Sequence, residues 1–307
     1  MEIKPAVLAE LRETFGDRMQ ENAPLSGYTA ARIGGPADIL VFVRKTDELV
    51  QAGRLLWKMD VPFILLGGGS NVLVSDQGVR GVVIINRARF LRFNSQAEPP
   101  SVHAESGVTP NDIAQRAARL GLTGFEWAAS IPGSLGGAVY GNAGAFGGDM
   151  AGNLVSVDVF HRDHGRQTWT LDKMEYGYRT SLLKRTRPPV IILSADLALN
   201  HGDQQAIRQK MEQFSSRRRT TQPPGASMGS MFKNPPGDKA GRLIEAAGLK
   251  GKTIGNAMIS TQHANFFINN GQTRAIDMRA LIDLAQQAVL NQFGITLEPE
   301  IEFIGEW

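Results

Sequence analysis

The spacing of apolar residues in the first third of the chain predicts a mixture of helices and strands. Apolar residues recur with a helical period in residues 5–15 and again in residues 46–59. Short apolar runs at residues 39–43 and 61–66 flank the second helix and are typical of buried strands. Strand, helix and strand in this order predict a β-α-β unit.

The remainder of the chain continues this mixed pattern. A strand at residues 82–85 completes a first small lobe, and a second lobe begins with a strand at residues 102–107. Thr109 as N-cap, Pro110 in the first turn and Asp112 in the capping box predict the start of a helix. The later predicted elements are strands at residues 155–160, 190–193, 264–269 and 301–304 and helices at residues 203–218, 243–247 and 277–293.

The composition is that of a soluble globular protein with two or three domains. Of the 307 residues, 42% are hydrophobic and 21% are charged, and the net charge is +3. Because the chain contains no cysteine, disulfides, thiolate metal sites and cysteine nucleophiles are excluded. No apolar stretch approaches the roughly 20 residues that span a bilayer, and the N-terminus lacks the apolar core of a signal peptide. We therefore expect a cytoplasmic protein without a membrane partner.

Two polar clusters allow more than one interpretation. The three arginines at residues 217–219 are typical of a solvated helix face but could also meet the phosphates of a substrate. Nucleic acid is not an expected partner, because aromatic residues do not alternate with these arginines. His161 and His164 could be half of a metal site, but no third ligand lies nearby in the sequence, so we predict a polar turn and no metal.

Two glycine-rich stretches are the clearest indication of a binding site. In residues 130–145, six of the sixteen residues are Gly or Pro, which lets the backbone approach a ligand closely. Residues 67–71 follow an apolar run, an order in which a strand presents backbone N–H groups to an anion such as a pyrophosphate. Together they predict one extended nucleotide cofactor held from two sides, with simple structural turns as the alternative.

Neither stretch has the G-x-G-x-x-G or G-K-[ST] pattern, so a Rossmann fold and a Walker loop are disfavoured. The predicted cofactor-binding residues are Gly67, Gly68, Gly69, Ser70, Asn71, Ser130, Ile131, Pro132, Gly133, Gly136, Gly137, Asn142, Ala143 and Gly144.

Three further motifs complete a pattern that covers the chain from Tyr28 to Gly305. They are Tyr-Arg-Thr-Ser at residues 178–181, Gly-Ser-Met-Phe-Lys-Asn-Pro at residues 229–235, and Leu-Glu-Pro-Glu-Ile at residues 297–301. With the two glycine stretches, their order and spacing resemble the UDP-N-acetylenolpyruvoylglucosamine reductase family, flavoenzymes of peptidoglycan precursor synthesis.

The resemblance implies an α+β fold, in which a two-lobed FAD-binding domain of the vanillyl-alcohol-oxidase-like type precedes a smaller α+β substrate domain. It implies non-covalent FAD, NADPH as the reductant, and a UDP-sugar substrate whose enolpyruvyl group becomes the lactyl ether of UDP-N-acetylmuramate. The predicted domains are a helical arm at residues 1–26, the FAD-binding domain at 27–205 with lobes at 27–88 and 89–205, and the substrate domain at 206–307. A monomer is favoured.

The resemblance also implies the roles of single residues. Matched by motif, Ser230 is the proton donor to the α-carbon, and Arg179 and Glu300 assist it. Tyr178, Lys233 and Asn234 fall at substrate-binding positions, Asn234 at the substrate diphosphate. Glu300 either holds Arg179 and the substrate carboxylate in place or, when protonated, donates a hydrogen bond to the developing enolate.

The chain departs from the family pattern at three points. Glu302 stands where relatives often carry a basic residue, and Thr180 stands where many have Asp. The interval between Arg179 and Ser230 leaves no room for the long tyrosine-bearing insertion of one subtype, so the chain resembles the shorter subtype.

Two other functions are compatible with parts of the sequence. An FAD-dependent oxidase of an alcohol, lactone or hydroxy acid could use the same fold, but such enzymes often tether the flavin through His or Cys near the first glycine stretch, and residues 67–71 contain neither. A flavin-storage or nucleotide-binding module would leave Arg179, Ser230 and Glu300 unexplained as a set.

Overall fold

The computed structural model describes residues 3–307, so the first two residues of the predicted N-terminal arm lie outside the described residues. The α-helices in this part of the chain are α1 (Pro5–Phe15), α2 (Thr46–Lys58), α3 (Pro110–Arg119), α4 (Leu135–Gly141), α5 (Leu182–Thr186), α6 (Gln204–Thr221), α7 (Ala240–Ala246) and α8 (Ala275–Phe293). The strands are β1 (Met19–Pro24), β2 (Pro36–Val43), β3 (Phe63–Leu66), β4 (Val72–Val74), β5 (Val79–Asn86), β6 (Leu91–Asn94), β7 (Ser101–Glu105), β8 (Leu122–Thr123), β9 (Gly144–Ala145), β10 (Gly148–Asp149), β11 (Leu154–His161), β12 (Gly165–Thr170), β13 (Val190–Ala198), β14 (Asn200–His201), β15 (Ala226–Ser230), β16 (Thr253–Ile254), β17 (Ala257–Ile259), β18 (Phe266–Asn269) and β19 (Glu302–Ile304). Among these described helices, none combines the length and the apolar character that crossing a membrane requires.

The first lobe is a four-stranded sheet in the order β1-β2-β5-β3. The predicted β-α-β unit is confirmed as β2, α2 and β3, but both strands pair in parallel with β5, which lies between them. A parallel connection needs a crossover, and α2 supplies it. The glycines that follow β3 therefore lie at the carboxyl edge of this sheet.

The second lobe is a five-stranded antiparallel sheet in the order β12-β11-β13-β7-β6. Helix α3 begins as predicted, because the Thr109 hydroxyl accepts a hydrogen bond from the Asp112 amide at 3.1 Å. The lobes pack directly on each other: Phe160, Ile191 and Leu193 of the second sheet share a core with α2. The two lobes therefore share part of one hydrophobic core.

The C-terminal part joins a four-stranded sheet, in the order β15-β18-β17-β16, to helices α7 and α8. Strand β19 pairs in parallel with β4 of the first lobe. Asp76, also in the first lobe, accepts hydrogen bonds from the amides of Ala275 and Ile276 at 2.7 and 3.0 Å and so caps α8. The end of the chain is thereby fastened to the lobe that carries the first glycine stretch.

The glycine stretch at residues 130–145 includes regular structure despite its high content of Gly and Pro. It contains helix α4, whose N-cap hydroxyl on Ser134 accepts from the Gly137 amide. Glycine disfavours helices, but Leu135, Ala138 and Val139 are buried on α4, and this packing outweighs the propensity. The turn residue that ends α4 is Asn142, in the left-handed conformation.

Helix α6 is longer than the predicted 203–218 and continues to Thr221. Its buried residues Ile207 and Met211 belong to the core of the second lobe. This packing favours a domain boundary after α6 rather than at residue 205, although the domain bounds as a whole stay predictions.

Candidate active site

The two glycine-rich stretches meet at one surface. A Cβ atom added to Gly68 would lie 2.7 Å from the Cα atom of Gly133, and the Ser70 hydroxyl donates to the carbonyl of Pro132 at 3.4 Å. Gly133 has a φ of +107°, which favours glycine. Two backbone segments distant in sequence therefore approach more closely than side chains would allow.

This surface carries unpaired polar groups that fit an anionic ligand. Within residues 3–307, the backbone amides of Gly68, Gly69 and Ser70 donate to no carbonyl oxygen. The buried hydroxyl of Ser130 also has no hydrogen-bond partner there. Gly68 is exposed and Ser70 half-buried, so their amides are open to a ligand, whereas Gly69 is buried. Buried polar groups are nearly always paired in native proteins, so the Gly69 amide and the Ser130 hydroxyl indicate a bound partner.

Arg179 lies in a tight turn with a φ of +57°. Gly177 and Thr180 exchange backbone hydrogen bonds of 3.1 and 3.2 Å around it. The Nη2 atom of Arg179 donates to the carbonyl of Gly144 at 2.6 Å, and its Nε atom lies 2.9 Å from Oε1 of Glu300. The second glycine stretch and the C-terminal segment thus hold the same guanidinium.

A backbone hydrogen bond brings Glu300 next to Met231, the residue that follows Ser230. Ser230 ends β15 and pairs with Phe266, after Gly229 at a φ of +76°. The amide of Glu300 donates to the carbonyl of Met231 at 2.9 Å. Because Glu300 also pairs with Arg179, the structure places all three predicted catalytic residues in one region.

The carboxyl group of Glu300 sits in a strongly shielded position. Only 19% of its side chain is exposed, and burial raises its pKa, while the positive charges of Arg179, Lys184 and Lys233 act in the opposite direction. The neutral form of Glu300 therefore persists to a higher pH than in an exposed glutamate.

The predicted substrate-binding residues lie around this centre in three different situations. Lys233 is largely buried and pairs with Glu298. Asn234 is exposed, and its Oδ1 atom accepts from the amide of Ala240 at 3.1 Å at the start of α7. Tyr178 is 57% exposed, and the guanidinium carbon of Arg179 lies 5.4 Å from the centre of the Tyr178 ring.

The last part of the second glycine stretch supports the Arg179 turn. The Asn142 side chain donates to the carbonyl of Gly177 at 3.0 Å and accepts from the amide of Ala151 at 2.9 Å. Gly144 supplies the carbonyl that binds Arg179. Both polar atoms of the Asn142 side chain form hydrogen bonds within the protein. Its predicted contact with the cofactor remains a prediction.

Two further charged groups were not in the predicted site. Glu302 forms ion pairs with Lys184 and Arg187, at 3.1 and 2.8 Å. Relatives often carry a basic residue at position 302. Here the residue is acidic, and the basic groups that face it come from α5 and from the residue after α5. Arg218 of α6 donates to the carbonyl of Ser130. The only sequence signals for them were the reversed charge at residue 302 and the run of three arginines.

His161 and His164 lie at the turn between β11 and β12, where the amide of Asp163 donates to Nδ1 of His161 at 3.0 Å. Within residues 3–307, no three His, Cys, Asp or Glu side chains form a group that could hold a metal.

Comparison with known proteins first defines the class of this fold and site. Residues 37–170 match the family model described as FAD binding domain. The chain is also similar in fold to an alkyldihydroxyacetonephosphate synthase, with a TM-score of 0.50 at 17% identity over 65% of this chain and 41% of that one. The protein has a two-lobed FAD-binding domain together with an α+β C-terminal part, as predicted.

The particular family follows from closer relatives. Residues 221–304 match the UDP-N-acetylenolpyruvoylglucosamine reductase C-terminal domain. The reductase of this name from Chloroflexus aggregans is 37% identical over 297 residues, which are 96% of this chain and 100% of that protein. The one from Bacillus subtilis is 40% identical over 300 residues, which are 97% of this chain and 98% of that protein. The crystal structure of the Thermus caldophilus enzyme has a TM-score of 0.79 at 36% identity, over 93% of this chain and 99% of that one. The chain belongs to the UDP-N-acetylenolpyruvoylglucosamine reductase family, which confirms the resemblance.

Proposed function

We propose that this protein uses FAD and NADPH to reduce the enolpyruvyl group of UDP-N-acetylglucosamine enolpyruvate, giving UDP-N-acetylmuramate for peptidoglycan synthesis. Family membership and the FAD-binding domain support this function. The observation that carries it is the pairing of Glu300 with Arg179 through its side chain and with Met231, beside Ser230, through its backbone. This pairing joins a cation and an acid and holds both close to the chain that carries Ser230.

The facing glycine stretches fit FAD, because their unpaired amides and close backbone approach suit a dinucleotide diphosphate. We propose that residues 67–71 and 130–137 hold it without a covalent bond, since residues 67–71 contain neither His nor Cys. When bound, FAD supplies the two-electron chemistry that connects NADPH to the vinyl β-carbon. The cytoplasmic location, the monomeric state and the shorter subtype stay predictions.

Gly68→Ala is expected to weaken FAD binding by about tenfold to a hundredfold, since overpacking typically costs about 1–3 kcal/mol. The new Cβ would meet Gly133 at 2.7 Å and push the two glycine stretches apart. Titration of the apoprotein with FAD, followed by flavin fluorescence, measures the effect. Gly27→Ala is the matched control, because a Cβ there meets nothing within 4 Å. Equal affinity of the two variants would contradict the placement of FAD between the stretches.

Arg179 is proposed to bind the carboxylate of the substrate. Addition to the β-carbon leaves negative charge on the α-carbon, and that charge spreads into the adjacent carboxylate. A planar guanidinium binds such a group through two hydrogen bonds and lowers the barrier more as the charge grows. The Gly144 carbonyl and the tight turn around Arg179 fix its orientation beforehand.

Ser230 is proposed to protonate the α-carbon. A serine hydroxyl is a weak acid in water, so the transfer requires a strongly basic carbanion and a site closed to solvent. Gly229, with its φ of +76°, sets the direction of the chain immediately before Ser230 at the end of β15. The hydroxyl therefore rests on a strand rather than on a mobile loop.

Glu300 is proposed to be neutral in the substrate complex. Burial raises its pKa in the free protein. The substrate brings a second carboxylate to the same guanidinium, and two carboxylates that share one cation raise the pKa of one of them further. The protonated carboxyl can then donate a hydrogen bond to the developing enolate.

The pH dependence tests this assignment. Because the pKa of Glu300 is raised, its neutral form is present at low pH and is lost as the pH rises through that pKa. The rate at which the sugar reoxidises the flavin should fall by about tenfold per pH unit above it. Glu300→Gln keeps an N–H donor at every pH, so its profile should lack this decrease. Retention of the same decrease in Glu300→Gln would assign it to another group.

Two anaerobic half-reactions test the function as a whole. The yellow protein should lose its colour with NADPH and regain it when the enolpyruvyl sugar is added. Rapid recovery of colour in air without the sugar would indicate an oxidase instead. No recovery with either would indicate a flavin-binding module without this activity.

A further inference from the structure

Arg218 differs from its two neighbours in the arginine run. Arg217 and Arg219 are exposed on α6, and Arg219 pairs with Glu212 at 2.6 Å. Arg218 is turned inward, and its Nη1 atom donates to the carbonyl of Ser130 at 2.5 Å. One arginine of the run therefore reaches the start of the second glycine stretch while its neighbours face solvent.

Arg218 has no ion-pair partner in the described part of the chain. Within residues 3–307 no carboxylate lies within ion-pair distance of it, whereas Lys210 on the same helix binds Glu126 at 3.4 Å. Burial lowers the pKa of Arg218, since its charged form is partly withdrawn from water. A largely buried cation without a counter-ion is costly, and an anionic ligand would remove that cost.

A second unpaired group lies at the same point. The Ser130 hydroxyl is buried and has no hydrogen-bond partner among the described residues, while the Ser130 carbonyl receives Arg218. Three residues further on, Gly133 meets Gly68 at the surface that carries unpaired backbone amides. A cation, a hydroxyl and backbone donors at one surface are the groups that bind a phosphate.

We propose that Arg218 binds the diphosphate of a nucleotide held at the two glycine stretches. The inference rests on the proposed function, which brings two diphosphates to this protein, that of FAD and that of the UDP-sugar. Arg218 adds a fixed positive charge to donors that are otherwise neutral. Its contact with the Ser130 carbonyl holds the guanidinium at the site before the ligand arrives.

Arg218→Gln, compared with Arg217→Gln, tests this inference by binding rather than by turnover. Titration of each apoprotein with FAD measures cofactor affinity, and titration of each FAD-loaded protein with the enolpyruvyl sugar, without NADPH, measures substrate affinity through the flavin spectrum. We expect Arg218→Gln to weaken one of the two affinities by about tenfold to a hundredfold, because hydrogen bonds to charged groups are among the strong ones. A loss for FAD assigns the FAD diphosphate, and a loss for the sugar assigns the UDP diphosphate.

The salt dependence separates an ionic contact from a purely structural one. If Arg218 binds a phosphate, the difference between wild type and Arg218→Gln should decrease at high salt. Should Arg218→Gln fail to fold, Arg218→Lys takes its place: it keeps the charge, loses the planar fork, and is expected to bind the same ligand more weakly than wild type and Arg217→Gln.

Equal affinities of the Arg218 and Arg217 variants for both ligands, or a loss that salt does not change, would overturn the inference. Either result would leave the proposed function standing as long as the wild-type protein reduces the enolpyruvyl sugar. Failure of the wild-type protein in that reaction would instead reject the proposed function, whatever the binding data.

Discussion

Ser230→Ala is expected to slow the reoxidation of the bound flavin by the enolpyruvyl sugar by about 10²–10⁴-fold, the usual contribution of a positioned acid. Reduction of the flavin by NADPH should stay nearly unchanged, because the hydroxyl gives its proton only to the substrate. The backbone of Ser230 is held by its pairing with Phe266, which the substitution does not alter. Anaerobic stopped-flow absorbance measures the two half-reactions separately.

Ser227→Ala is the matched control for this experiment. Ser227 lies on the same strand and pairs with Ile268, so its loss reports the effect of removing a β15 hydroxyl from another position. Both half-reactions should remain close to wild type in this variant. An equal loss in both half-reactions of Ser230→Ala would refute its role as the proton donor.

Arg179→Gln is expected to lower kcat for sugar reduction by about 10²–10³-fold, the typical cost of losing one preorganised donor to a developing negative charge. Arg179→Lys should fall between this variant and wild type, since lysine keeps the charge but not the fork that matches a carboxylate. Steady-state rates over a range of sugar concentrations give kcat and KM. A change in KM alone would mean that Arg179 binds the substrate and its transition state equally well.

Arg187→Gln is a suitable control for Arg179. Arg187 also has a positive φ, of +47°, and also pairs with a carboxylate of the C-terminal segment, Glu302. It is 71% exposed, so its ion pair should contribute little. Because Arg179 also binds the Gly144 carbonyl, thermal unfolding of each variant must accompany the rates. Similar activities in the two variants would contradict a special role for Arg179.

Local patterns in the sequence predicted several of the helices that frame the fold. Helix α1 has the predicted bounds, and α2 and α8 begin within two residues of the predicted positions. These helices depend on amphipathic spacing and on residues at their ends, which are contiguous in the chain. Helix α4 was missed because its stability comes from burial against the second lobe and not from its own glycine-rich residues.

The candidate site was predictable only through whole motifs. Taken singly, Arg179, Ser230 and Glu300 look like ordinary turn or surface residues, and only their joint order and spacing indicated a reductase. Helix α6 illustrates the opposite case, since a run of three arginines gives no sign of which one turns inward. The direction of a side chain depends on what packs against its helix, and that information lies elsewhere in the chain.

By itself, the sequence determined the α+β character, the absence of cysteine chemistry, the two glycine stretches and the family, because these depend on composition and on short contiguous patterns. Only the tertiary structure decided that Gly68 touches Gly133, that Glu300 pairs with Arg179, and that Lys184 and Arg187 converge on Glu302. Each of these contacts joins segments far apart in the chain, and the packing of the two lobes and the β4–β19 pairing bring those segments together.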